Sequence, residues 1–558
     1  MKKNRIRLSV VNDTACFIPE QPQSRSAMNH DHDKAAAAAA ALCSWSTAEA
    51  TLPDINMKSM VQPSSLLVTG IKSSWVPGVK WVGHRDAQNT VTEAAIAEEG
   101  IPISVSASSP STTPTQAVAC SSPEESYNSL FSELNQIKEQ LMPSAKACAD
   151  AINKYQSSKH STNPGYEFRK ARSYCNPYES LGTASSKNNP NKKNKKSRKR
   201  KLHLNQSPPH GLSRFVNRSA IKLANIDALL GFILTTPAEK EEGTFIFVDL
   251  CGAPGGFSEY ILYRSLHPAH GHENYIRKAC VGFGMSLNGR NSDGEGARWD
   301  LDHLNKYHIH NDDKHKAKSG GMTPRLSYHV CNGTDGTGSI YNWDNVVHLQ
   351  QDIRVKIDPS SSNNPLANLV VADGGFDAQR DSANQESIAF KIIVSQTAAA
   401  LTLLRPGGMF VLKMFGFREC ATRYMLNNVL HTFFDQMTFV KPILSRPASA
   451  ERYLVCRGFV GTSKEWNGLA WRDKMLQVRR HECSTPPNHP LEDLMTSFDL
   501  DIAQLNIDAC RSIVDYLDER RIWAERGNDV HSYEENRRCL DSNAYELVWQ
   551  LNSSDGIE

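Results

Sequence analysis

No run of this 558-residue sequence approaches the ~20 uninterrupted apolar residues of a membrane-spanning helix, and the opening MKKNRIRLSVVNDTACF lacks an apolar segment followed by small residues. A chain that is neither secreted nor membrane-bound is therefore expected. Paired cysteines are missing too. The 13 cysteines are scattered without one C-x-x-C, which disfavours a zinc ribbon and a disulfide framework and suits a reducing compartment. Neither sign of charge is in excess: 63 Lys and Arg against 60 Asp and Glu leave a formal +3, so bulk charge argues neither for nor against a polyanionic partner. His308, His310 and His315 cluster in a polar insert between Asn288 and Pro324, but no cysteine or carboxylate spacing completes a zinc site, and no metal is expected.

Sustained hydrophobic periodicity is scarce in residues 1–125, which carry an alanine run (Ala35 to Ala41) and a Ser/Thr/Pro tract (Ser106 to Ser122). Such a composition buries too little apolar area to offset its ordering entropy, so a disordered region is expected there. Leu130, Leu134, Ile137 and Leu141 are spaced as on a helix, and residues 126–185 read as a helical lead-in. Residues 186–210 form a basic linker, in which the ten positions from Lys192 to Lys201 hold eight Lys or Arg. A block of this kind repels itself and stays extended. It fits a nuclear import signal, an arm that neutralises RNA phosphates, both, or a plain solvated linker.

From Gly211 the texture changes. Apolar, β-rich runs at Thr244 to Leu250, Ala279 to Leu287, Leu366 to Ala372, Gly408 to Phe415, Met437 to Val440 and Arg452 to Phe459 alternate with helical stretches at Phe257 to Ser265, Glu386 to Leu404 and Thr422 to Phe434. Nearly continuous apolar strands between helices predict an α/β, Rossmann-like, doubly wound and mainly parallel sheet over residues 211–462, with a helical extension over 463–558. Ligands of such sheets sit beyond the carboxyl ends of the strands. There the first strand runs into FVDLCGAPGGFSEYIL, where Asp249 precedes a turn built of Cys251, Gly252, Ala253, Pro254, Gly255, Gly256 and Phe257. Its glycines allow a tight turn and close backbone approach, and the following helix start favours an anionic group. No Gly-Lys-Ser/Thr follows, and Pro254 interrupts the turn, so neither a P-loop nor an ordinary dinucleotide fingerprint fits. Farther on, VVADGG sets Asp373 at a strand end, and GGMFVLKMF puts Lys413 inside an apolar run, which is costly unless a carboxylate or substrate meets it.

The D-x-x-x-x-P-G-G-F-S pattern resembles the S-adenosylmethionine loop of the FtsJ-type RNA methyltransferases. Lys222 in NRSAIKLANID, Asp373, Lys413 and Glu451 in SRPASAERYLVC follow the K-D-K-E order that 2′-O-ribose methyltransferases share, and the resemblance implies that these four are catalytic. A ribose hydroxyl is a very weak acid that must attack a methyl on a sulfonium in line, so positioning and a base are both required. For Lys413 to be that base its pKa must fall, and Lys222 together with desolvation is expected to push it down, against Asp373.

GFGMSL, ADGGF, FVKPILSRPASAERYLVCRGF and SRFVNRSAIKLANID, with the CNPYE before them, are similar to the cap-specific mRNA (nucleoside-2′-O-)-methyltransferase 1 family. That resemblance covers residues 169–552. It implies S-adenosyl-L-methionine as cofactor, held by Asp249, Cys251 to Phe257, Ser339 and Ile340, with Asp335 a polar runner-up. It also implies capped mRNA as substrate, touched by Arg172, Asn384 and Ser449; a nuclear location is expected with the basic block at 192–201, and transcription or capping machinery are candidate partners that the resemblance alone does not establish. Methylation of the first transcribed nucleotide is the implied reaction. The second cap nucleotide, ribosomal, transfer or small nuclear RNA, and a non-catalytic RNA-binding protein with a methyltransferase fold remain as alternatives.

Overall fold

A computed structural model describes residues 82–83, 123–156, 161–176, 215–236, 243–269, 279–288, 298–307, 325–357, 366–375, 384–463, 465–478 and 490–530. The basic block at 192–201, the three histidines of the polar insert, most of the first 125 residues and the final NAYELVWQLN lie outside these.

The helical lead-in is two helices, α1 (Pro123–Tyr155) and α2 (Pro164–Cys175), the second opened by Asn163, whose side chain accepts from Tyr166 N, and by Pro164 in the first turn. α3 (Arg218–Leu229) follows, capped by Asn217 accepting from Ser219 N. Strands and helices then alternate: β2 (Thr244–Leu250), α4 (Gly256–Leu266), β3 (Ala279–Met285), α5 (Leu301–Asn305), β4 (Arg325–Val330), α6 (Trp343–Ile357), β5 (Ala367–Ala372), α7 (Gln385–Leu403) and β6 (Leu404–Met414). Next come α8 (Cys420–Tyr424), a π-helical turn (Met425–Leu430), α9 (His431–Phe433), β7 (Phe434–Val440), β8 (Arg452–Phe459), α10 (Gly468–Gln477) and α11 (Pro490–Glu525). A two-residue strand, β1 (Val82–Gly83), pairs with β7.

The sheet order is β1-β7-β8-β6-β5-β2-β3-β4. β2 pairs in parallel with both β3 and β5, and chain order reverses between β2 and β5. β8 runs antiparallel to both of its neighbours, β6 and β7. Strand periodicity divides the core between the two faces: Ile246, Val248 and Leu250 face the helices α6, α7 and α11, while Phe245 and Phe247 face α3 and α4. The carboxyl ends of β2 and β5 therefore open a crevice at the switch point, where doubly wound sheets bind ligands.

Three expectations shift. The helix expected over Thr422 to Phe434 is broken into α8, the π-helical turn and α9, and β7 begins three residues earlier than its apolar run, at Phe434. β4 and α6 were not foreseen. Arg325–Val330 is an edge strand with one face half open, so its pattern is too short and too polar to stand out.

Candidate active site

Asp249, at the end of β2, is fully buried. Its Oδ2 accepts from Ser258 N at 3.2 Å and Ser258 Oγ at 2.7 Å, while Oδ1 has no hydrogen-bond partner. Burial, with the Asp373 charge nearby, pushes its carboxyl up to about 7, against the Ser258 hydrogen bonds. The chain then turns sharply. Cys251 adopts a left-handed φ of 58°, and its N donates to Met285 O at 2.7 Å, tying the loop to the end of β3. Gly252 has no room for a side chain, because a Cβ there would lie 1.8 Å from Asp249 Oδ1. Gly255 caps α4 at φ 110°, where a Cβ would press on Leu304 at 2.9 Å. Ala253 and Pro254 make the outer turn between these two glycines, and Phe257 is buried on the α3 side of the sheet.

Across the crevice, Gly374 N donates to Gln396 Oε1 at 3.0 Å, and a Cβ on Gly374 would lie 3.0 Å from Cys251 Cβ. A side chain at Gly374 would therefore fill the gap between the strand ends of β2 and β5. The loop after β4 closes the same end: Asn288 N donates to Thr337 O at 2.7 Å, Ile340 is buried against Met285 and Leu250, and Ser339 O accepts from Asn345 Nδ2 at 3.0 Å. Asp335 is committed inside that loop, accepting from Thr337 N, Thr337 Oγ1, Asn342 Nδ2 and Asn345 Nδ2 at 2.7 to 3.0 Å. These bonds hold its carboxyl well below the ordinary range and leave it a loop-building role. This crevice is bounded by Cys251, Gly252, Gly374 and the backbone at the start of α4, so a ligand there can approach main-chain amides closely. Among the described residues no cluster of three or more His, Cys, Asp or Glu is placed to hold a metal ion.

Lys222, Asp373, Lys413 and Glu451, from four different elements and loops, form one ionic group at this edge. Lys222 Nζ lies 2.7 Å from Glu451 Oε1, and Lys413 Nζ lies 3.1 Å from Asp373 Oδ1 and also donates to the Asp373 carbonyl. All four side chains are between 11 and 17% exposed, enough for a substrate to reach them. Gly375 leaves Lys413 its space, since a Cβ there would be 3.0 Å from Nζ.

The electrostatics correct one expectation. Burial lowers the Lys413 ammonium, but Asp373 and Glu451 together outweigh it and hold the pKa above its ordinary value. Lys222 is paired to Glu451. Glu451 is held well below the usual carboxylate range: burial alone would raise it, and Lys222, Lys413 and Lys441 overcome that.

Sequence reasoning missed three members of the site. Tyr453 OH, wholly buried, donates to Asp373 Oδ1 at 2.8 Å; Ser445 Oγ donates to Glu451 Oε1 at 2.8 Å; and Lys441 lies beneath the same turn. A polar residue closing the apolar run TFV-K was a signal of the kind that exposed Lys413. The substrate candidates are spread more widely. Ser449 sits in the turn before β8 and its Oγ accepts from Glu451 N at 3.2 Å. Asn384 precedes α7 and lines a cavity of about 460 Å³ with Phe415, two residues after Lys413, Ala450, next to Glu451, Lys138 and Arg418. Arg172 lies on α2 with its guanidinium 5.7 Å from the Phe168 ring, and the apolar cluster of α2 includes Ala448 in the turn before β8.

Residues 215–459 match the family model described as FtsJ-like methyltransferase. Over 260 residues the chain is 36% identical to a protein of Trypanosoma brucei brucei named cap-specific mRNA (nucleoside-2′-O-)-methyltransferase 1, covering 46% of this chain and 59% of that protein. Proteins of the same name from Drosophila melanogaster and Homo sapiens are 29% and 28% identical, over 52% and 59% of this chain and 29% and 33% of their own lengths. The chain thus spans less than two thirds of each of these relatives.

Proposed function

Residues 215–459 match the FtsJ-like methyltransferase model, and on that similarity we propose that this chain transfers a methyl group to the 2′-oxygen of the first transcribed nucleotide of N7-methylguanosine-capped mRNA. The observation that carries this reading is the single ionic group of Lys222, Asp373, Lys413 and Glu451 beside the switch-point crevice. The names of the relatives support the cap as the RNA feature recognised. When bound, S-adenosylmethionine would supply an electrophilic methyl and a positive sulfonium, a charge that weakens the hold of a neighbouring ammonium on its proton.

Asp249, Cys251 to Phe257, Ser339 and Ile340 line the cofactor crevice in this reading. Asp373 fixes the direction of Lys413, and Tyr453 fixes Asp373. Lys413 Nζ takes the hydroxyl proton as the 2′-oxygen attacks, while Lys222 and Glu451 hold that oxygen in line. The cavity beside Phe415 and Ala450, with Asn384 on its wall, receives the capped end, and Ser449 contacts the RNA near the reacting ribose; Arg172 is assigned to RNA farther along. The basic block at 192–201 suits nuclear import, with transcription or capping machinery as partners.

The test is radiolabelled methyl transfer from S-adenosylmethionine to short RNAs with and without the N7-methylguanosine cap, followed by nuclease mapping. Label on the first ribose of capped RNA alone is the expected outcome. Equal labelling of both RNAs would sink the cap assignment.

A further inference from the structure

A second lysine grips Glu451 from below. Lys441 follows β7 directly and is 3% exposed. Its Nζ points into the turn that joins β7 to β8, donating to Ser449 O at 2.6 Å, Glu451 O at 2.8 Å, Ser445 Oγ at 3.2 Å and Arg446 O at 3.3 Å. Such a turn does not need an ammonium to close it. Ser445 N already bonds Pro442 O, and Ser449 N bonds Arg446 O, each at 2.9 Å. Burying a charge there is costly, and it is retained where it makes charge-assisted bonds that neutral groups cannot.

Two of those bonds lead to Glu451, one to its carbonyl and one through Ser445 to its carboxylate. Ser445 Oγ accepts from Lys441 and donates to Glu451 Oε1, the oxygen that Lys222 also holds at 2.7 Å. Lys441 thus controls both the backbone carbonyl of Glu451 and, through one hydroxyl, its side chain. Resting on the methyl-transfer reading above, we propose that Lys441, acting through Ser445, is a positioning residue that fixes Glu451 and with it Lys222 in the geometry that holds the ribose hydroxyl.

The split between binding and turnover makes this measurable. Glu451 faces Lys222 from α3, Lys413 from β6 and Lys441 from the turn, while burial pushes the Lys441 ammonium down to about 7 against the pull of Glu451. Removing Lys441 frees the Glu451 carbonyl and the Ser445 hydroxyl, so the loss falls on kcat. A role confined to supporting the fold would lower stability and leave kcat of the folded protein where it was.

The experiment uses the full chain and measures kcat, KM for a short capped RNA, the S-adenosylmethionine dissociation constant by calorimetry, and thermal melting. Lys441→Met is expected to lower kcat about tenfold or more, with KM and cofactor affinity within about twofold. Ser445→Ala keeps the buried ammonium and lowers kcat by about threefold to tenfold, and the double variant is no slower than Lys441→Met, because the two act in series. A folded Lys441→Met with kcat within about twofold of the parent overturns the inference, as does a kcat loss matched by equal loss of cofactor binding. If Lys441→Met does not fold, an unchanged kcat in Ser445→Ala overturns it and a lowered one supports it. A parent chain that labels no RNA overturns the methyl-transfer reading and this inference with it, whereas an active parent isolates the role of Lys441.

Discussion

Lys413 carries the sharpest consequence of a single charge. Two carboxylates keep its ammonium above the ordinary lysine range, so a base at Nζ is scarce at neutral pH and grows as protons are withdrawn. kcat should therefore climb from pH 7 to pH 9, and Lys413→Ala should lower it by about 10²- to 10⁴-fold and flatten that climb, with cofactor binding by calorimetry kept. Near-parental transfer in that variant would remove Lys413 from the base role. Asp249 acts through stability instead. Its carboxyl is raised to about 7 in the fold and titrates near ~3.9 in an unfolded chain. Between those values the folded state holds a proton that the unfolded chain has lost, so the stability this group lends at pH ~4 is lost as pH rises to 7. Asp249→Asn has no such proton. Its stability relative to the parent should improve by up to about 1.4 kcal/mol per pH unit across that window, read from urea midpoints; parallel curves for the two proteins would refute it. Gly252→Ala pushes on the same carboxylate, since its Cβ would lie 1.8 Å from Oδ1. A cost of about 1–3 kcal/mol and at least a tenfold loss of cofactor affinity are expected from displacing a packed neighbour.

Elements differ in how far they announce themselves. β2, β5 and β8 are buried at nearly every position, and their limits could be read within a residue from the sequence alone. β4 could not, since an edge strand half open to solvent has neither a long apolar run nor full alternation. The π-helical turn after α8 inserts a geometry that a regular helical period does not encode. Lys222 and Glu451 stood out only through their order along the chain, as their contact spans 229 positions and depends on how β7 and β8 turn. α2 shows the same limit, for nothing local couples it to α11, yet Arg520 Nε lies 2.9 Å from Glu167 Oε2 with both side chains 1 to 2% exposed. Removing one member of such a pair leaves a buried charge without its partner. Glu167→Gln should cost about 3–5 kcal/mol, measured by denaturant melting, and should loosen α2 before the sheet in hydrogen exchange. Uniform exchange across both would contradict that order.

At the scale of the molecule, α11 decides what can fold alone. A helix of 36 residues is ~54 Å long, enough to cross from the sheet to the lead-in helices. Its first turns put Leu491, Leu494, Met495 and Phe498 into the cluster that holds β5, β6 and α7, and Asp499 then meets Arg452 of β8 in a buried pair. Its middle packs Ala503 and Ile507 against Leu134 of α1, and its last third packs Ile513, Tyr516 and Leu517 with Ala171 of α2. The family-matching segment 215–459 contains no residue of α11 and none of α1 or α2. Each of the four apolar residues in the sheet cluster stabilises by about 1.5–3 kcal/mol through burial, a sum comparable to the ~5–15 kcal/mol that separates a folded domain from its unfolded chain. Expressed alone, residues 215–459 should therefore lose the cooperative melting transition and bind a hydrophobic dye, while residues 123–530 should melt in one step. A cooperative transition for the short segment would mean that the sheet closes its own core, and that α11 serves the cavity between the helices rather than the fold.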